Sequence, residues 1–197
     1  MPASVSRGHS MKKEVTPKDQ VFRTAARLFY QNGYRAVGVD TIAAESGIGK
    51  MTLYRHYPSK DDLIVAYLKD SDRLFWQNFE EITNKAGNPR GKLLAFFEVL
   101  QEYVTTPACY GCPFLNVATE YPETDHPGHR VAMEHKQSVR RRFRRLAKEA
   151  GTRKPDLLAD QLFLLMDGAY MASRMFGPDN PAAHVAGAAR ALIDAAL

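Results

Sequence analysis

The chain has 197 residues, 45% of them hydrophobic and 25% charged, and carries a formal net charge of +5. That is long enough to bury a core in one or two domains, and no apolar run approaches the roughly 18 residues that a membrane span needs. The first residues lack the apolar centre of a secretory leader. Two cysteines, Cys109 and Cys112, are too few for a secreted disulfide framework. A cytoplasmic protein without a membrane partner is therefore expected.

The positive charge is concentrated at one end. Through Lys60, ten basic residues stand against four acidic ones, which leaves residues 61–197 at −1. Such asymmetry points to a polyanion-binding module joined to a different body.

Residues 1–15 read as a flexible arm, with Ser, Gly, Pro and Lys but no periodic apolar face. A helix then opens at Thr16-Pro17-Lys18-Asp19, with Thr16 as N-cap, Pro17 at the first helical position and Asp19 near the positive dipole end. Val21, Phe22, Ala25, Ala26, Leu28 and Phe29 recur at three- and four-residue spacing, which defines one buried face. Asn32-Gly33 closes it. Next, Asp40 is read as the cap of a short helix with Ile42, Ala43 and Ser46 inward. Gly47 sits where the chain must reverse, because glycine takes positive φ without steric cost. Ile48 is expected to plug the turn into the core. A second short helix, residues 50–56, turns Leu53 inward and shows Lys50, Thr52, Tyr54, Arg55 and His56 on its other faces.

Further helices are expected near 59–84, 90–106, 111–120, 127–150, 155–176 and 181–196. Breaks fall at Gly87-Asn88-Pro89, Thr106-Pro107, Tyr121-Pro122, Gly151 to Pro155 and Gly177-Pro178. No alternating strand pattern and no internal repeat occurs. The fold class is all-α: a three-helix N-terminal domain at residues 16–62, followed by a helical domain at 63–197.

Two short helices that cross through a glycine turn form a helix-turn-helix. The second fits the roughly 12 Å major groove of duplex DNA, where side chains reach base edges. A plain α-hairpin in a helical core is the competing reading, and the charge asymmetry favours DNA. The segments T-I-A-x-x-S-G-I (residues 41–48) and T-L-Y-R-H-Y-P-S-K (residues 52–60) resemble the N-terminal domain of the tetracycline-repressor (TetR) family over roughly residues 17–65. The resemblance implies a base-edge contact by Lys50, with Met51 and Thr52 beside it at the groove-entering end. It implies phosphate contacts by Thr41, Tyr54, His56 and Lys60. Arg55 reaches phosphate or is simply solvated. Met51 departs from the small residue or proline expected there.

A single recognition helix touches few base pairs, so two-fold dimers that read palindromic half-sites about 34–36 Å apart are expected. Leu157, Leu158, Gln161, Leu162, Leu164, Leu165, Gly168, Ala169, Ala172 and Ser173 exceed what one core requires of one helix. Ala182, Ala183, Val185, Ala186, Ala188, Ala189, Leu192 and Ile193 add a small-residue surface. The resemblance implies a homodimer through these last two helices, packed as a four-helix bundle.

Between reader and dimer lie aromatics at helical spacing. Packing explains most of them, but the resemblance implies a small-molecule effector pocket here. Candidates for its lining are Phe75, Phe79, Phe96, Tyr103, Phe114, Phe143, Phe163, Met166 and Tyr170.

Cys109-x2-Cys112, followed by His126-x2-His129, approaches a zinc-finger spacing. The histidine gap is one residue short, and Pro113, Pro122 and Pro127 do not suit a ββα unit, so no metal site is expected. Gly111, Cys112 and Asn116 match a Gly-Cys-x3-Asn segment of some TetR-like regulators at the start of the sixth helix. A helix N-terminus raises a thiol's thiolate fraction, so a redox switch at Cys112 and Cys109 competes with simple packing. His135 is expected to face water or to pack beside Val139, and the arginines of residues 140–145 to form a solvated basic face. No catalytic spacing, P-loop or dinucleotide glycine motif occurs, so neither an enzyme nor a cofactor is expected. An architectural DNA binder without an effector is the remaining alternative to an effector-released repressor.

Overall fold

The computed structural model describes residues 15–197. The expected arm at residues 1–15 lies outside them except for Val15, which is exposed. Among the described residues there is no strand, and the helices run in the order α1 (Pro17–Asn32), α2 (Val39–Ser46), α3 (Lys50–His56), α4 (Lys60–Asn84), α5 (Pro89–Val104), α6 (Pro113–Glu120), α7 (Pro127–Glu149), α8 (Pro155–Phe176) and α9 (Val185–Ala196). The chain is therefore all-α. By compactness it divides within α4, where one unit ends at Tyr67 and the other begins at Leu68.

In the first unit, α1 begins with a full capping box. The Thr16 hydroxyl accepts from the Asp19 N–H at 3.2 Å, and the Asp19 carboxylate accepts from the Thr16 N–H at 3.2 Å. Two orphan donors are thus satisfied. Gly33 closes the helix at φ 88°, its N–H bonded to the Phe29 carbonyl. Three helices bury one residue type after another into a shared core: Val21, Ala25, Leu28 and Phe29 from α1, Ile42 from α2 and Leu53 from α3. Tyr34 and Tyr67 complete it, with ring centroids 5.4 and 6.2 Å from Phe29. Each such side chain contributes about 1.5–3 kcal/mol through burial.

Two local readings are corrected here. The N-cap of α2 is Gly38, without a side-chain cap; Asp40 lies in the first turn and forms an ion pair with Lys50 at 2.5 Å. Ile48 is only half-buried, and the turn is held instead by Gly47 at φ 69°, with Ile48 N–H bonded to the Ala43 carbonyl.

The second unit packs α5, α7, α8 and α9 around Leu93, Phe97, Leu100, Val139, Phe143, Leu162, Met166 and Ile193. The expected helix at 181–196 is broken into a 3-10 turn, Pro181–His184, and α9. The cause is Asn180, a buried side chain that accepts from the Ala182 N–H and donates to the Val104 carbonyl, both at 2.9 Å. That pair fastens the α8–α9 connection to the end of α5. The sixth helix starts at Pro113 rather than 111, because Gly111 has φ 86° and a Cβ there would come within 3.1 Å of Arg174 Cβ.

Candidate nucleic-acid interface and helical body

Leu53 is the one buried residue of α3. Met51 is 90% exposed, Lys50, Tyr54 and Arg55 are exposed, and Thr52 and His56 are half-buried. Thr41 is exposed on α2, and Lys60 at the start of α4 reaches the Arg35 carbonyl at 3.5 Å. Lys50 is held by Asp40, and that carboxylate raises the ammonium's affinity for its proton above the usual value. The contact ties the first turn of α3 to the first turn of α2. Arg27 of α1 and Glu45 of α2 form a further ion pair behind this surface. Tyr57, just after α3, is buried and its phenol is pushed up by burial, then by Asp19.

Of the residues expected to line an effector pocket, Phe79, Phe96, Phe143 and Met166 lie in one core cluster, Phe75, Tyr103, Phe163 and Tyr170 pack against it, and Phe114 lies outside it. Phe75, Phe79 and Phe96 are in mutual ring contact, with centroids 5.2–6.1 Å apart, and Phe143 joins them through Phe96 at 5.4 Å. Tyr103 and Tyr170 pair edge-on at 6.4 Å, and burial pushes the Tyr170 phenol well above its ordinary value. Met166 is in the core, whereas Phe163 lies under Lys136 at 5.5 Å. Lys136 in turn forms an enclosed ion pair with Asp167, whose carboxyl burial holds above its usual range. Phe114 stacks on His135 at 3.6 Å with the planes 9° apart.

Of the two settings expected for His135, packing on the buried face that also carries Val139 is the one found. His135 is 4% exposed, not water-facing. Its Nδ1 lies 2.7 Å from Asp72 Oδ1, and its ring edge meets Phe75 at 4.8 Å. The same Asp72 oxygen accepts the indole N–H of Trp76 at 3.0 Å. A carboxylate can only accept, so Nδ1 carries the proton. Burial lowers the His135 pKa to about 4, partly offset by Asp72, while Lys136 lowers it further. The imidazole is therefore neutral at pH 7, a polar pin in an aromatic wall. Its spacing, three residues after Ala132 and four before Val139 on the buried face of α7, was the available signal.

Both thiols are free and buried, Cys109 at 6% and Cys112 at 5% exposure. Cys112 is the N-cap of α6. Asn116 donates to the Tyr110 carbonyl at 3.1 Å across the Gly111 turn, which gives Gly111 and Asn116 a structural reason for their spacing. His129 bonds the Tyr121 carbonyl through Nδ1 at 2.8 Å, and His126 stacks on the Tyr121 ring at 4.0 Å. Both histidines thus contact Tyr121, and His126 Nδ1 also accepts from the Gly128 N–H at 3.1 Å.

On α8, Leu157, Leu164, Met171, Met175 and Phe176 are exposed, and Leu164 is 69% exposed. Leu164, Gly168 and Ala172 line a groove of about 270 Å³ with Pro181, His184 and Ala188. Leu158, Leu162, Ala169 and Ser173, also named for pairing, are buried in the chain's own core.

Comparison with known proteins agrees with this architecture. A sequence profile for bacterial regulatory proteins of the tetR family matches residues 21–67, and one for the tetracyclin repressor-like C-terminal domain matches residues 89–189. The crystal structure of a TetR-family transcriptional regulator from Streptomyces coelicolor superposes with a TM-score of 0.87 at 30% identity, covering 91% of this chain and 95% of that one. A TetR-type regulator from Streptomyces avermitilis gives 0.82 at 32% identity, covering 92% and 98%. The HTH-type transcriptional repressor KstR2 of Mycobacterium tuberculosis is 24% identical over 169 residues, 83% of each chain. Helix-turn-helix geometry, helical body and both profile matches place the chain in the TetR family of DNA-binding transcriptional regulators.

Proposed function

We propose that the protein is a cytoplasmic homodimeric repressor that binds a palindromic operator in double-stranded DNA and is released from it by a small-molecule or thiol-reactive effector. The observation that carries this reading is α3, which spends a single residue, Leu53, on the core and turns Lys50, Met51, Tyr54 and Arg55 to solvent. Residues 16–62 are the reader and residues 63–197 the effector-binding and dimerisation body. Lys50 and Met51 face base edges, with Thr52 beside them. Thr41, Tyr54, His56 and Lys60 hold phosphates, and Arg55 adds to them. Release from DNA requires only differential effector affinity for two arrangements of the body, and a coupling of about 1–3 kcal/mol changes DNA affinity about 5- to 150-fold.

Dimerisation is supported by the exposed apolar face of α8 and the adjoining groove, a surface of large apolar and small residues that water solvates poorly. The thiol route is supported by Cys112 at the N-cap of α6. Its burial means that an electrophile acts only after local opening. Footprinting on DNA upstream of the protein's own gene and its neighbours tests the reading, first alone and then with small molecules or a quinone. Protection of a two-fold symmetric site that an effector abolishes supports it, and loss of quinone release in Cys112→Ser assigns the thiol. Protection without sequence preference, insensitive to every effector, would favour an architectural binder instead.

A further inference from the structure

The five arginines of residues 140–145 on α7 divide into two sets. Arg140 pairs with Asp160, Arg144 with Asp156 at 2.5 Å and Arg142 with Glu80 at 2.5 Å. Arg141 reaches only the Ser138 hydroxyl, at 2.7 Å, and neither Arg141 nor Arg145 has a carboxylate within ion-pair distance among the described residues. Ser138, Arg141, Arg142 and Arg145 follow three- and four-residue spacing, so one face of α7 presents them together. With Trp76 of α4 they line a cleft of about 220 Å³.

The aromatic wall of this cleft is fixed from behind. The Trp76 N–H is held by Asp72, and its ring face carries the Arg142 guanidinium, 5.3 Å from the centroid. Glu80, on the next turn of α4, is the acid that pairs with Arg142. Three guanidiniums thus meet one carboxylate, which leaves two positive charges uncompensated. A face that was merely solvated would not gather its two unpaired arginines with a third around a preset indole.

We infer that this cleft between α4 and α7 binds a small oxyanion carrying two charges about one helical turn apart, a diphosphate group being the best match. Guanidinium forks take phosphate oxygens bidentately, and Arg141 and Arg145 stand roughly 5–6 Å apart at their Cβ atoms. The site bridges α4 and α7 of the second unit, and Trp76 backs it onto Phe75 and Phe79 of the aromatic core.

Trp76 is the chain's only tryptophan, so its fluorescence reports this cleft directly. Full-length protein is titrated with inorganic pyrophosphate, and in parallel with chloride at matched ionic strength, because exposed charges are screened by any salt. The expected result is a saturable emission change with pyrophosphate alone. The double variant R141Q/R145Q binds at least about tenfold more weakly. R140Q, which removes one charge outside the cleft, keeps the affinity. Circular dichroism melting confirms that both variants are folded. A change that chloride reproduces, or an affinity equal in R141Q/R145Q, means nonspecific attraction and overturns the site. A response to non-operator duplex DNA but not to pyrophosphate, lost in R141Q/R145Q, assigns these arginines to the DNA backbone and also overturns it.

Discussion

Lys50 and Lys60 are both lysines near one surface, yet they sit in different settings and predict different defects. Lys50 opens the recognition helix in an ion pair with Asp40 that DNA must displace or share. Lys50→Ala is expected to relax base preference at one position of the half-site by about 1–3 kcal/mol. Lys60→Ala is expected to weaken all sequences alike and to shrink the salt slope by about one unit. Affinities on a panel of single-base operator variants, at several salt concentrations, separate the two. His135 makes a prediction in the other unit. Its pKa falls from 6.5 to about 4 on folding, because burial penalises the charged ring. The unfolded chain therefore binds the extra proton first, and stability present above pH 6.5 is lost as pH falls towards 4. The loss amounts to up to about 3 kcal/mol. His135→Asn, which keeps a donor towards Asp72, should flatten that slope in urea melts between pH 4 and 7. An unchanged slope would show that other groups carry it.

At the scale of elements, the helix-turn-helix rests on two glycines with different duties. Gly47 takes φ 69° and has open space where a Cβ would sit, so its cost to an alanine is backbone strain alone. Gly47→Ala should destabilise by about 1–2 kcal/mol. Gly49 caps α3 at φ −60° without a side-chain oxygen. Gly49→Ser supplies that oxygen and should raise stability by a few tenths of a kcal/mol, about what separates the two residues at an N-cap. Thermal melts read both. Helices and turns such as these were legible because their signals are local: Thr16-x-x-Asp19, the proline openings of α5, α7 and α8, and the 3.6-residue apolar period. The Asp40 cap was misplaced by two residues because its charge was spent across the turn on Lys50, a contact that no local pattern encodes. The 3-10 turn before α9 escaped for the same reason, since Asn180 fixes it from the end of α5.

For the whole molecule, the outward face of α3 and the apolar face of α8 are the two surfaces on which the DNA-binding and pairing readings rest. Leu164→Arg places a charge at an exposed position on the second of them, and should lower the oligomeric state and cost operator affinity while sparing the monomer's own core. Sedimentation with and without DNA reads this. Sequence alone marked both surfaces but could not sort them. Leu158 and Leu162, four residues apart, and Leu157 and Leu164, seven apart, both fit a helical apolar face, and only the packed body decides which pair faces inward. The aromatic cluster was less legible still, because Phe75, Phe96, Phe143 and the His135–Asp72 pair meet across three helices. Selection from a random duplex library with the purified protein is the most direct measurement of the DNA reading. Enrichment of one two-fold symmetric sequence, with Lys50→Ala loosening matched positions in both halves, is the predicted outcome. A pool that stays random, or an asymmetric motif indifferent to Lys50→Ala, would contradict it.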